Sequence, residues 1–150
     1  MTPKQKPALK IRRAKPSDAP RLAALSGELG YPATPRDIAR RMRKLASSLR
    51  DALFVAEASE AGVVGWIHVS VNHLLEVGTR AEINGLVVAE DHRSLGGGAL
   101  LLDAAETWAR ARGCPAMSVR SNVIRERAHK FYERQGYEHY KTQKAFRKPI

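Results

Sequence analysis

The stretch His92-Arg-Ser-Leu-Gly-Gly-Gly-Ala-Leu-Leu-Leu102, HRSLGGGALLL, decides how this chain is read. It sets an arginine and three adjacent glycines directly before an apolar run. A glycine inside a helix costs about 1 kcal/mol relative to alanine, so three at a helix start need another reason to be there. Upstream, AEINGLVV (81–88) is a β-rich run whose Gly85 invites a bulge. Downstream, residues 97–112 carry Leu101, Ala105 and Trp108 on one helical face and close at Gly113. A bare strand-to-helix junction aims free N–H groups and the positive end of a helix dipole at one point, which suits phosphate oxygens. With no Cβ in the way, an anion can approach the backbone closely. Residue identity excludes two nucleotide-binding patterns. A P-loop needs Gly-Lys-Ser or Gly-Lys-Thr, and a dinucleotide fingerprint needs Gly or Ala where Leu101 stands. A glycine-rich turn with no ligand is the remaining alternative.

On either side, strand and helix signals alternate. LKIRRA (9–14) predicts a strand, and Ser17 and Asp18 are plausible caps for a helix carrying Leu22, Leu25 and Leu29 to Gly30. Thr34 can cap a second helix, with Pro35 in its first turn, Ile38, Met42 and Leu45 in one stripe and five basic residues over much of the rest. ALFVAEAS and VVGWIHVSV, joined by Glu60-Ala61-Gly62, predict a hairpin. Beyond Gly113, AMSVRSN predicts a strand, RERAHKFYERQ a helix stopped by Gly136, and YEHYKTQKAF a last strand. The order β-α-α-β-β-β-α-β-α-β shows no repeat and no linker, so the expectation is a polar tail over 1–8 and one α+β domain over 9–150.

Composition narrows the class. The chain has 150 residues, 43% of them hydrophobic, and lacks an apolar run of membrane-spanning length. Its first ten residues are too polar for a secretion signal, so a cytoplasmic protein is expected. Cys114 is the single cysteine and no His or Cys stands near it at ligand spacing, so a small core residue is expected and no metal. The net charge of +11 is uneven: residues 1–50 carry 13 basic and 3 acidic side chains, 51–100 carry 2 and 7, and 101–150 carry 11 and 5. Such a charge attracts polyanions, whether nucleic acid, acidic protein or a phosphate-bearing small molecule.

With these segments in place the chain resembles the GCN5-related N-acetyltransferases (GNAT). Arg93-Ser94-Leu95-Gly96-Gly97-Gly98 is similar to that family's pyrophosphate-binding pattern, and it follows LVV (86–88) and precedes a long helix as in the family. Asn122 followed by RAHKFYERQGY (127–137) resembles the second family segment. Two residues depart from the pattern, Ser94 where glycine is frequent and Gly97 where an aliphatic residue is usual; Gly97 should loosen the first helical turn.

The resemblance implies a three-layer α/β/α-like GNAT fold, with helices on both faces of a mixed, mostly antiparallel sheet splayed between strands 81–88 and 116–121. It implies acetyl-coenzyme A as cosubstrate, with its pyrophosphate on the N–H groups of Ser94, Leu95, Gly96, Gly97, Gly98 and Ala99 beside Arg93. The pantetheine would lie along Leu86, Val87 and Val88, with the Val88 N–H on the thioester carbonyl and Asn122 on the far lip; a turn former is the alternative for Asn122. Tyr132 stands at the family's proton-donor position, although an aromatic beside Phe131 reads by itself as core. Glu82 is the expected base, with pairing to a surface arginine as the alternative. Asn84 cannot be a base; with Glu82, Trp66, His68 and Tyr31 it is expected on the acceptor side.

GELGYP resembles small-molecule, aminoglycoside-type members, and the acidic residues Glu76, Glu82, Glu90 and Asp91 would draw a cationic primary amine. Homodimers are common among relatives, which makes a homodimer the expectation here. A protein or peptide amine is the alternative acceptor, and two alternatives come from other classes: a non-catalytic acyl-coenzyme A-binding protein, and a basic nucleic-acid-binding module built on Arg40, Arg41, Arg43 and Lys44. No recognised nucleic-acid motif accompanies that last cluster.

Overall fold

The structure, a computed structural model, describes residues 8–150, apart from the Ser94 side chain. The expected tail 1–8 therefore lies outside the described residues except for Ala8. The strands are Leu9–Arg13 (β1), Asp51–Ala58 (β2), Gly62–Leu74 (β3), Gly78–Val88 (β4) and Met117–Val119 (β5). The helices are Ala19–Leu29 (α1), Pro35–Ala46 (α2), Gly97–Ala111 (α3) and Glu126–Arg134 (α4), with 3-10 turns over Pro16–Asp18 and Glu90–Leu95. The chain divides into two compact units, one ending at Arg120 and one running from Ser121 to Ile150.

In the first unit one sheet runs in the order β1-β2-β3-β4-β5, antiparallel at its first three junctions and parallel between β4 and β5. Val55, paired with Trp66, and Ile67, paired with Phe54, lie on opposite faces of the sheet and both are fully buried, so the middle of the sheet is covered on both sides. α3 buries Leu101, Leu102, Ala105, Trp108 and Ala109. It lies close because Gly65 has no side chain: a Cβ there would stand 2.9 Å from the Val87 carbonyl oxygen and 3.2 Å from Leu101 Cδ1. Gly97 acts in the same way, which corrects the expectation of a loosened first turn. A Cβ at 97 would stand 3.3 Å from Leu9 Cδ1, so the missing side chain lets the start of α3 settle onto β1.

Local capping follows the sequence at α2 and departs from it at α1. Thr34 Oγ1 accepts from the Asp37 N–H at 3.1 Å while Asp37 Oδ2 accepts from the Thr34 N–H at 3.3 Å, a reciprocal capping box. Asp18, expected as the α1 cap, instead accepts from the Lys15 N–H at 2.9 Å and closes the 3-10 turn before the helix. The same carboxylate takes both terminal nitrogens of Arg12, at 2.8 and 2.9 Å, and Arg12 Nε reaches Glu57 at 2.7 Å. Edge strand, neighbouring strand and helix start are thus tied through one guanidinium.

Two bulges set the register. Between β2 and β3, Glu57 faces Val63 but Ala56 faces Gly65, leaving Val64 over. Between β3 and β4, His68 faces Gly85 but Val69 faces Ile83, leaving Asn84 over. The bulge expected at Gly85 is therefore carried by the residue before it. Gly85 is instead a point of close approach, where a Cβ would stand 2.7 Å from two carbons of the Trp66 ring.

The last strands differ from expectation. β5, expected over 116–121, pairs only as Ala81↔Met117, Glu82↔Ser118 and Ile83↔Val119, and no pairing extends further along β4. In the second unit, the strand expected over 137–146 does not form; residues 137–150 have neither helix nor strand. A strand needs a buried face, whereas Tyr140, Phe146 and Ile150 are exposed and the residues between them are mostly polar.

Candidate active site

The glycine stretch forms the junction predicted for it. Gly96 has φ +80°, a conformation that glycine adopts without strain, and α3 starts directly after it. The first bond inside α3 runs from the Leu100 N–H to the Gly96 carbonyl, so the amides of Gly97, Gly98 and Ala99 have no helical acceptor. Arg93 Nε donates to the Val88 carbonyl at 3.2 Å, which anchors the guanidinium at the end of β4 and leaves its two terminal nitrogens for an anion. Ser94 was also expected at this site; its side chain lies outside the described residues. Leu95 ends the 3-10 turn.

Beside this junction the β4 edge is open. The Ala89 N–H bonds to the Val64 carbonyl at 2.7 Å, so by alternation Val87 also faces β3 while the amides of Leu86 and Val88 face the other way. That is the side of β5, whose pairing has already ended at Ile83. The sheet is therefore split there, with two outward amides and an arginine-capped carbonyl along the opening.

One face of the sheet beside this edge is polar. Directly opposed residues share a face, and Asp51, Ser70, Glu82 and Ser118 form a row across four strands. Glu82 Oε2 accepts from Asn72 Nδ2 at 3.1 Å, and Glu82 Oε1 lies 3.4 Å from Arg120 Nε. Asn84 Nδ2 donates to Ser70 Oγ at 2.7 Å. His68 Nε2 meets Asp51 Oδ1 at 2.8 Å, and Asp51 Oδ2 accepts from Ser48 Oγ at 2.6 Å. Trp66, two residues before His68, lays its ring over Gly85. The structure thus brings together four residues expected on the acceptor side: Trp66, His68, Glu82 and Asn84.

It does not bring in the others. Tyr31 is 71% exposed and makes no side-chain hydrogen bond or ring contact among the described residues. Glu76 is exposed at the β3–β4 turn, and Glu90 and Asp91 lie in the 3-10 turn beside Arg93. Six residues of extended strand, about 20 Å, separate Glu82 from the end of β4 at Val88, and Glu90 lies in the turn beyond it. The acidic third therefore does not gather on one side as expected. Asp51, which the sequence reading missed, supplies the second carboxylate of the polar row.

In the second unit, Asn122 Oδ1 accepts from the Ile124 N–H at 3.2 Å and its carbonyl meets His129 Nε2 at 2.8 Å, so Asn122 builds a turn at the start of α4. Tyr132 is half-buried, with ring centroids 5.2 Å from Phe131 and 5.8 Å from Tyr137. Burial pushes its phenol above the ordinary tyrosine value, against a smaller opposing pull from Arg125, so the hydroxyl stays protonated at neutral pH. Among the described residues no group of three His, Cys, Asp or Glu side chains could hold a metal ion, and no helix is long and apolar enough to cross a membrane.

Comparison with known proteins agrees with this geometry. The model of the acetyltransferase (GNAT) family matches residues 21–137. Aminoglycoside N(6')-acetyltransferase type 1 of Stenotrophomonas maltophilia is 28% identical over 144 residues, 93% of each chain. Two solved structures share the fold at low identity. Aminoglycoside antibiotic 6'-N-acetyltransferase AAC(6')-Ih from Acinetobacter baumannii has a TM-score of 0.84 at 18% identity, covering 95% of this chain and 99% of that one. Aminoglycoside N-acetyltransferase AAC(6')-Iy in complex with CoA has a TM-score of 0.85 at 17% identity, covering 100% of both.

Proposed function

Because the chain belongs to the acetyltransferase (GNAT) family and is an acetyl-coenzyme A-dependent N-acetyltransferase, we propose that its acceptor is a small polycationic primary amine of the aminoglycoside type. The observation that carries this acceptor is the row Asp51–Ser70–Glu82: two carboxylates on one sheet face beside the opened β4 edge. A relative named as an aminoglycoside acetyltransferase, aligned over nearly the whole chain, supports the same reading.

In this reading the amides of Gly97, Gly98 and Ala99, with Arg93, hold the pyrophosphate, where a helix N-terminus and a guanidinium both favour negative charge. The acyl-pantetheine arm lies along residues 86–88, and the outward amides of Leu86 and Val88 are the donors for the thioester oxygen as it gains charge. The amine attacks the acyl carbon, the carbon–sulfur bond breaks, and Tyr132, protonated at neutral pH, gives its proton to the departing thiolate. Trp66 contributes apolar surface to the acceptor, and Glu82, with Asp51 behind it in the same row, the negative charge. We further propose that the enzyme works in the cytoplasm as a homodimer, which light scattering of the purified protein tests.

The test of function is thiol release from acetyl-coenzyme A across a panel of aminoglycosides, polyamines, amino acids and lysine peptides. The expected order puts aminoglycosides and polyamines first, with at least tenfold higher kcat/KM than single-charge amines. Equal use of neutral amines or a preference for peptides refutes this acceptor.

A further inference from the structure

The proton that the acceptor ammonium must lose before attack has two destinations on the polar face, and they are not equivalent. Glu82 already accepts from Asn72 on one oxygen and lies against the Arg120 guanidinium with the other. Both of its oxygens are therefore already engaged. Its row is also one that β5 still closes, since Glu82 faces Ser118. His68 lies in the next row, opposite Gly85, the first one past the split. Its ring is set by Asp51: a carboxylate can only accept, so at 2.8 Å the imidazole must donate from Nε2. In the neutral ring Nδ1 then carries a bare lone pair, and it has no hydrogen-bond partner among the described residues. Asp51 is held in turn by the Ser48 hydroxyl on its second oxygen.

We propose that His68 is the proton acceptor of the transfer and Asp51 its positioning residue, with Glu82 holding the ammonium. The inference rests on the acetyl-transfer reading above. The ammonium gives one proton to His68 Nδ1, directly or through one water, and Asp51 stabilises the resulting imidazolium. The freed nitrogen lone pair forms the bond to the acyl carbon. As the carbon–sulfur bond breaks, the thiolate takes the proton assigned above to Tyr132, and the second nitrogen proton, lost as the amide forms, restores the phenol through solvent. His68 then returns its proton to solvent. No oxidant, metal or further reactant is required.

The test combines kinetics with the state of the ring, using acetyl-coenzyme A with kanamycin and with spermidine. His68→Gln is expected to lower kcat about 100-fold with KM for acetyl-coenzyme A unchanged. Asp51→Asn should lower kcat about tenfold, and Asp51→Glu should recover part of that loss. Added imidazole should restore activity to His68→Gly, a rescue that a purely structural role would not produce. Glu82→Gln should raise KM for the amine more than it lowers kcat. In the wild-type protein, nitrogen-15 NMR should find the neutral His68 ring protonated at Nε2, and Asp51→Asn should abolish that preference. If His68→Gln keeps kcat within threefold while Glu82→Gln loses it, the base is Glu82 and the proposal is overturned. A wild-type protein inactive towards every amine strikes the acetyl-transfer reading instead. The ring spectrum still decides in that case, because a neutral ring protonated at Nδ1 could not receive the proton.

Discussion

Gly85 is the residue on which the acceptor face turns. Its backbone has ordinary negative φ, so conformational freedom is not why glycine stands there; the Trp66 ring occupies the space a side chain would need. Gly85→Ala forces that ring to move from 2.7 Å, and overpacking of this kind costs about 1–3 kcal/mol. Urea denaturation should find Gly85→Ala less stable by that amount, with most of the loss removed in a Gly85→Ala/Trp66→Phe double variant whose shorter ring clears the new methyl group. An undiminished loss in the double variant would mean that the strain lies in the backbone. The sequence named both residues and gave no sign that they touch. It called for a bulge at Gly85 because glycine is common at bulges, while the register leaves out Asn84.

At the scale of elements, the strand-to-helix junction depends on one side chain from the 3-10 turn. Arg93 spends its Nε on the end of β4 and keeps two nitrogens outward, so it orders the turn and presents charge together. A hydrogen bond to a charged group is worth about 1.5–3 kcal/mol, which is tenfold to a hundredfold in binding. Arg93→Ala should therefore raise the acetyl-coenzyme A dissociation constant by at least tenfold in calorimetry, with the helical content of the protein unchanged in circular dichroism. An unaltered constant would remove Arg93 from the phosphate site. This junction was legible in the sequence because its causes are local: three glycines, an arginine three residues ahead of them and an apolar helix stripe. The β2–β3 pairing was not legible in the same way. A regular hairpin continued from Ala58↔Gly62 would set Asp51 opposite Val69 on the core face; the extra Val64 shifts it to Ser70 and turns its carboxylate towards His68.

At the scale of the molecule, the Arg12 cluster couples stability to acidity. Burial raises the Asp18 carboxyl, but its bonds from Arg12 and the Lys15 N–H outweigh that and hold it below the ordinary aspartate value. Glu57 is also lowered, first by its hydrogen bond from Arg12. A carboxylate depressed in the folded state contributes stability that is present above its unfolded value of about 3.9 and is lost as pH falls through the folded one. Stability should thus drop below about pH 4. Asp18→Asn, which leaves a part-buried Arg12 with one fewer counter-charge, should cost about 3 kcal/mol at pH 7, and its gap to wild type should narrow as pH approaches 3. Urea midpoints across that range check both, and a constant gap would contradict the sign.

What the sequence determined by itself was the alternation of strands and helices, the glycine-rich anion junction and the family, because each is written in residues a few positions apart. It also overreached at the carboxy terminus, where alternating residues read as a strand form none, since they bury no face. What only the tertiary structure decided was which polar residues meet. Asp51 and His68 are 17 residues apart in the chain, and the bulge at Val64 fixes whether their side chains share a face, as the one at Asn84 does for Glu82. A shift of one residue in a strand sends every side chain to the opposite side, and no local signal in the chain announces that shift.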